Sequence, residues 1–145
     1  MKKYLFIISF LAAGISSMAA VSGINEKLVQ SFNESYPHAV NVNWLEYLDT
    51  YAVNFEETGV KSTIHYNKDG SFQCAFRYYS EEKLPYYLIV SLKEKFPGKK
   101  IYSVTELSTP SEINYYIKLE DAKTWKTVKV DSNGNFVVIE KFNKA

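Results

Sequence analysis

The sequence predicts an α+β fold built from two tandem units, each a helix followed by four antiparallel strands, with the helices on one face of the sheet or sheets. Three observations carry that expectation. The chain repeats its own apolar pattern, each copy opens on a stripe of helical period, and the residues that follow alternate at period 2. At an offset of 60 residues, Ile24, Leu28, Val29, Phe32, Tyr36 and Pro37 fall on Leu84, Leu88, Ile89, Leu92, Phe96 and Pro97. From residue 51 the offset becomes 64, and Tyr51, Val53, Phe55, Ile64, Gly70 and Phe72 fall on Tyr115, Ile117, Leu119, Val128, Gly134 and Phe136. The four additional residues sit in the loop-like stretch Ser108–Asn114. Residues 20–80 and 81–145 are therefore the two expected repeats, joined at Ser80-Glu81-Glu82-Lys83.

Each repeat begins with its helix. Ile24, Leu28, Phe32 and Tyr36 lie one turn apart, as do Leu84, Leu88, Leu92 and Phe96. Pro85 suits a first turn, where a missing N–H costs nothing, and Pro37 and Pro97 stop the helices. The strands come next. HAVNVNWLE places Val40, Val42 and Trp44 on one side, YAVNF does the same for Tyr51, Val53 and Phe55, and VKSTIHY for Val60, Ser62, Ile64 and Tyr66. NKDGSF is a hairpin turn leading into Phe72, Cys74, Phe76 and Tyr78, which alternation assigns to the core face. IYSVTEL, YYIKL, TWKTVKV and FVVIEKF are the second set, with DSNGNF as their turn. The second copy carries Glu106 or its polar neighbours where the first has Trp44, so the copies are not interchangeable. A unit of ~60 residues buries only about 60% of its unfolded surface, so the two are expected to stack sheet edge to sheet edge around a shared core.

The first nineteen residues read as an address. Met1-Lys2-Lys3 is positive, Tyr4–Ile15 is apolar, and Ser17-Met18-Ala19 places small residues before a cut between Ala19 and Ala20. This is a secretory signal peptide, too short in its apolar run for the ~20 residues of a membrane span. The mature product, Ala20–Ala145, is expected to be periplasmic or secreted, with no membrane insertion after cleavage. Cys74 is the sole cysteine, so no intramolecular disulfide forms in that compartment, and it is expected to be buried core filler.

Composition removes further classes. Lys+Arg 17 against Asp+Glu 16 leaves no basic footprint for nucleic acid. Aromatics at 16% are far from the composition of a disordered chain. No catalytic, metal or cofactor set emerges. Cys74 and His65 are expected on opposite sides of the sheet, which rules out a thiol nucleophile with its base. His38 and His65 lack zinc-site spacing. Asp131–Asn135 has its glycine fourth rather than sixth and reads as a hairpin turn, not a calcium loop. No Gly-rich phosphate loop and no GxSxG occurs.

What remains is a surface. Helices cover one face of the sheet, and alternation assigns Ala52, Asn54, Lys61, Thr63, His65, Gln73, Ala75, Arg77 and Tyr79 to the other, with Tyr116, Lys118, Trp125, Thr127, Lys129 and Lys141 from the second copy. Trp125, Tyr116, Tyr79, Arg77 and His65 are the candidate binding residues, since aromatics with Arg make the anchors of protein-binding surfaces. The competing reading has Trp125 shield a sheet edge or pack between the copies, because a one-residue bulge exchanges the faces.

The two stretches SFNESYPHAVNVNWLEY…YAVNFEETGVKSTIHYNKDGSF and LPYYLIVSLKEKFPGKKI…YYIKLEDAKTWKTVKVDSNGNF resemble the PepSY-like, beta-lactamase-inhibitor-like exported proteins of Bacteroidetes. The shared features are a helix ending in aromatic-Pro, a following Trp, a Y-x-V-x-F strand, a D-G or N-G hairpin and an L-P opening the second helix. The resemblance spans residues 24 to 142. It implies a tandem α+β fold with helices on one side of an antiparallel sheet. A structural relative of that family, the beta-lactamase inhibitor protein, binds an enzyme with its curved sheet face and loops; the analogy is one of fold alone, and no inhibitory loop residues carry over to this sequence. The expected function is thus non-enzymatic: an exported binding or inhibitor-like module for an envelope protein or peptide, held on the open sheet face. The alternatives are a small-ligand carrier with an aromatic-lined pocket, or an envelope structural or stress protein.

Overall fold

A computed structural model describes residues 23–144. The proposed signal peptide lies outside the described residues. Helix α1 (Glu26–Ser35) precedes strands β1 (Val40–Glu46), β2 (Thr50–Glu57), β3 (Val60–Asn67) and β4 (Phe72–Tyr79). A 3-10 turn at Glu81–Lys83 leads into α2 (Tyr86–Lys95), then β5 (Lys100–Ser108), β6 (Ile113–Glu120), β7 (Thr124–Val130) and β8 (Phe136–Asn143). All eight strands form one antiparallel meander in chain order, β4 pairing directly with β5.

Local chemistry sets the helix limits. The Asn25 side chain accepts the Lys27 N–H at 3.0 Å, satisfying one of the free donors at the start of α1. Pro85 stands at the same place in α2. Both helices end on an aromatic, Tyr36 or Phe96, whose N–H reaches back to Phe32 or Leu92, and the proline after each prevents another turn.

Both helices lie on the same side of the sheet. Leu28 and Phe32 of α1, with Ile24, pack on Tyr51, Val53, Phe55 and Ile64. Phe32 meets Phe55 and Trp44 edge to face, with ring centroids 5.0 and 5.4 Å apart. Burying such a ring contributes roughly 1.5–3 kcal/mol. Leu88 and Leu92 of α2, with Leu84, cover Ile101, Val104, Ile117, Leu119, Val128 and Val130. Val60 and Tyr79, from the first half of the chain, belong to this second cluster, so packing runs across the middle of the sheet.

Directly paired residues share a face. One helix-side row runs Phe55, Ser62, Arg77, Glu106, Tyr115, Val130, Phe136 across seven strands. The facing set on the open side includes Lys61, Tyr78, Thr105, Tyr116, Lys129 and Val137.

That register corrects the expected faces of β4. His65 pairs with Cys74 but Tyr66 pairs with Phe72, so Gln73 is an extra residue and the alternation inverts after it. Ala75, Arg77 and Tyr79 therefore face the helices, whereas Cys74, Phe76 and Tyr78 lie on the open face. Cys74 is half-buried beside His65 rather than behind the sheet from it. A second irregularity, at Ile139 in β8, puts Lys141 opposite Lys126, whose ammonium lies over Phe96 at the end of α2; Lys141 is thus on the helix side too. By register the counterpart of Trp44 (opposite Val53) is Val104 (opposite Ile117), not Glu106. Strand β1 also departs from plain alternation. Asn41 has φ 55° within a register shift, and Val40 and Val42 are exposed.

Candidate functional site

Two regions hold unusual side chains: the uncovered face, and the middle of the helix side. On the uncovered face β7 projects Trp125, half-buried, with Thr127 and Lys129 following at period 2. Its indole is built into a cluster. Tyr102 meets it edge to face at 4.9 Å, presented by the register shift between Ile101 and Ser103. The ammonium of Lys144 lies 4.4 Å and that of Lys118 5.5 Å from the ring centroid, and Lys144 is held by Glu120 at 2.9 Å. Trp125 is thus a ring clamped between an aromatic and two cations, with part of its surface open.

Tyr116 shares this face, between Thr105 and Lys129. Trp125 sits opposite Glu120, four residues along β6, so the two aromatics lie about 13 Å apart along the strand. His65 is further off, in β3, with Phe76 edge to face at 6.1 Å. Tyr78, Tyr102 and Phe142 are among the exposed aromatics and extend the same surface.

The other two candidates sit elsewhere. Tyr79 is 9% exposed and faces the helices, and Arg77 stands two residues before it on that side. Between them they hold Glu106, itself buried. The Tyr79 hydroxyl donates to Glu106 Oε2 at 2.5 Å and Arg77 Nη1 to Oε1 at 3.2 Å, while the Ser108 hydroxyl approaches Oε1 at 3.4 Å. A carboxylate taken out of water needs such donors. Burial, and then the bond to Glu106, push the Tyr79 hydroxyl well above the ordinary tyrosine range. Burial first and the Glu106 charge second raise Tyr115 as well. Burial alone raises the Cys74 thiol.

The five sequence candidates therefore form two groups: Trp125, Tyr116 and His65 on the open face, Arg77 and Tyr79 on the covered one. Tyr102, Tyr78 and Phe76 were missed because each depends on a bulge. Glu106 carried a legible signal, a charged residue in an apolar strand whose burial demands partners. Among the described residues no three His, Cys, Asp or Glu side chains are grouped to hold a metal, and no helix is long and apolar enough to cross a membrane.

No protein-family model matches the chain, and no curated protein matches it by sequence. Solved structures do resemble it. A BLIP-like protein from Bacteroides fragilis superposes with a TM-score of 0.61 at 12% identity, covering 83% of this chain and 86% of that one. A DUF2874 family protein from Bacteroides ovatus gives 0.60 at 16% identity, over 83% and 87%. A Bacteroides eggerthii protein, named as a candidate periplasmic protein, gives 0.60 at 14% identity, over 83% and 88%. At these identities the likeness is one of architecture: the chain has the fold of the BLIP-like and DUF2874 proteins of Bacteroides.

Proposed function

We propose that this protein is an exported, non-enzymatic binding module, inhibitor-like in kind, that takes an envelope protein or peptide on the open face of its sheet. The observation that carries this reading is the uncovered face itself. Both helices cover the other side, while Trp125, Tyr116, Tyr102 and Tyr78 stand on the open one with Lys61, Lys118 and Lys129 among them. Aromatic rings with cationic neighbours are the composition of interface anchors. The fold shared with a BLIP-like protein supports the inhibitor-like reading by analogy of architecture. Export to the periplasm or medium rests on the signal peptide read at residues 1–19 and on the name of the Bacteroides eggerthii neighbour. Descent from a doubled PepSY-like unit is supported by the order of elements, one helix and four strands occurring twice.

The binding residues assigned by this reading are Trp125, Tyr116 and His65, joined by Tyr102. Arg77 and Tyr79 leave the set because they face the helices. Immobilised Ala20–Ala145, presented to an envelope fraction beside its Trp125→Ala/Tyr116→Ala variant, is the test. A protein retained by the first and absent from the second is expected, with the thermal midpoint of the variant nearly unchanged. Equal retention on both overturns the assigned face, and a large loss of stability in the variant places those rings in the core.

A further inference from the structure

We propose a second, separate site on the covered side of the sheet: the cleft beside the C-terminal end of α1 binds a small zwitterion with an apolar side chain, of the class of the free hydrophobic α-amino acids. The cleft, of about 410 Å³, lies over the middle strands and is partly enclosed. That is within the range of small-ligand pockets. Its apolar wall includes Tyr36 at the end of α1 and Phe55 of β2, and its polar groups come from both halves of the chain.

Both signs of charge line it. Arg77 has 47% of its side chain exposed, and its guanidinium makes one hydrogen bond among the described residues, from Nη1 to Glu106. A guanidinium carries five N–H donors, so most of its donor edge is left for a ligand. Glu106 is the wrong partner for an incoming cation, because Tyr79, Arg77 and Ser108 already occupy its oxygens; it positions Arg77 instead. The opposite charge comes from Glu57, which makes no ion pair among the described residues. Glu57 pairs with Val60, two residues from the Ser62 that pairs with Arg77. Strand geometry then puts the Cα atoms of Glu57 and Arg77 about 12 Å apart, with two long side chains lining the space between. Ser62, buried, lies in the same row as Arg77 and adds a hydroxyl.

The lip carries an independent mark. Thr58, next to Glu57 and part of the lining, has φ 51°. A β-branched residue in the left-handed region is an outlier, held there at a cost where Asn or Gly would serve the turn freely. A cleft with one cation, one unpaired carboxylate and aromatic walls is complementary to a ligand with a carboxylate, an ammonium and an apolar body. A plain anion would meet Glu57, and a plain cation Arg77.

Calorimetry with the mature chain and three probes tests this: phenylalanine, phenylalaninamide and N-acetylphenylalanine. Phenylalanine is expected to bind one to one, and each blocked derivative at least tenfold more weakly. Glu57→Gln should weaken phenylalanine about tenfold yet leave the residual binding of the N-acetyl derivative unchanged, because that probe has no ammonium to lose. Arg77→Gln should do the converse with the amide; should this variant not fold, Glu57→Gln alone decides. No heat with millimolar phenylalanine, equal binding of all three probes, or indifference to Glu57→Gln overturns the site. The Trp125→Ala/Tyr116→Ala variant should bind phenylalanine as the parent does. Loss there would move the ligand to the open face and overturn the cleft, whereas failure of that variant's partner capture bears on the open face alone.

Discussion

Tyr79 shows how much one hydroxyl can hold. It supplies the shortest bond to Glu106, a carboxylate that strand alternation drives into the helix-covered layer. Tyr79→Phe keeps the ring in the core and removes only that donor, leaving Glu106 with Arg77 and a long contact to Ser108. The expected cost is about 1–3 kcal/mol, read as a lower urea midpoint with unchanged slope. Tyrosine burial also sets an alkaline limit. The Tyr66 hydroxyl is pushed up to about 12 by burial and by Tyr36, and Tyr79 and Tyr115 are raised too. Between the ordinary value near 10 and these raised values the folded chain keeps protons that the unfolded chain gives up, so stability falls as pH rises through that window. The thermal midpoint should drop above about pH 10, and the drop should be shallower in Tyr66→Phe. A midpoint flat to pH 11 would contradict the burial of these hydroxyls.

At the scale of elements the sequence was a good guide to periodic segments and a poor one at irregularities. The helix stripes at Leu28 and Phe32, and at Leu88 and Leu92, are the residues that pack. The hairpins lie where Asp-Gly and Asn-Gly fall, and Asp69 and Asp131 each take backbone N–H groups within their turns. Alternation in β2, β3, β6 and β7 is as expected. Strand β4 defeated it because Gln73 is one residue more than the ladder needs, and nothing in SFQCAFRYY marks which residue is spare. That single slip moved Arg77 and Tyr79 to the wrong face and hid Phe76 and Tyr78. The turn joining β2 to β3 offers a different test. Its first residue, Thr58, has φ 51° and is followed by Gly59 at 78°. Asn-Gly is the pair such a turn favours. Thr58→Asn should therefore stabilise the chain by about 1 kcal/mol, measured as a higher urea midpoint. No gain would show that the threonine makes compensating contacts.

For the molecule as a whole, the sequence led to an expectation of sheets stacked edge to edge around a shared core, but it did not say which strands would meet. Nothing in the strand patterns says that β4 and β5 pair, since edge strands and middle strands can share the same alternation. Their pairing, with Val60 and Tyr79 inserted into the cluster beneath α2, ties the halves into one packing unit. Two-state unfolding is the expected consequence. Each half carries one tryptophan, Trp44 and Trp125, so the variants Trp44→Phe and Trp125→Phe report on the halves separately. Their fluorescence transitions in urea should coincide, and residues 81–145 alone should not fold. Two separated midpoints would make the halves independent domains.

The face that Cys74 occupies gives the chain a built-in reporter. It is the sole thiol, half-buried beside His65 and two positions from Phe76, on the side of the sheet away from both helices. Its raised pKa means slow alkylation near neutrality and faster labelling in mild alkali. An environment-sensitive fluorophore attached there would change its emission when a partner covers the open face. A ligand entering the cleft beside the end of α1, behind the sheet, would leave it unchanged.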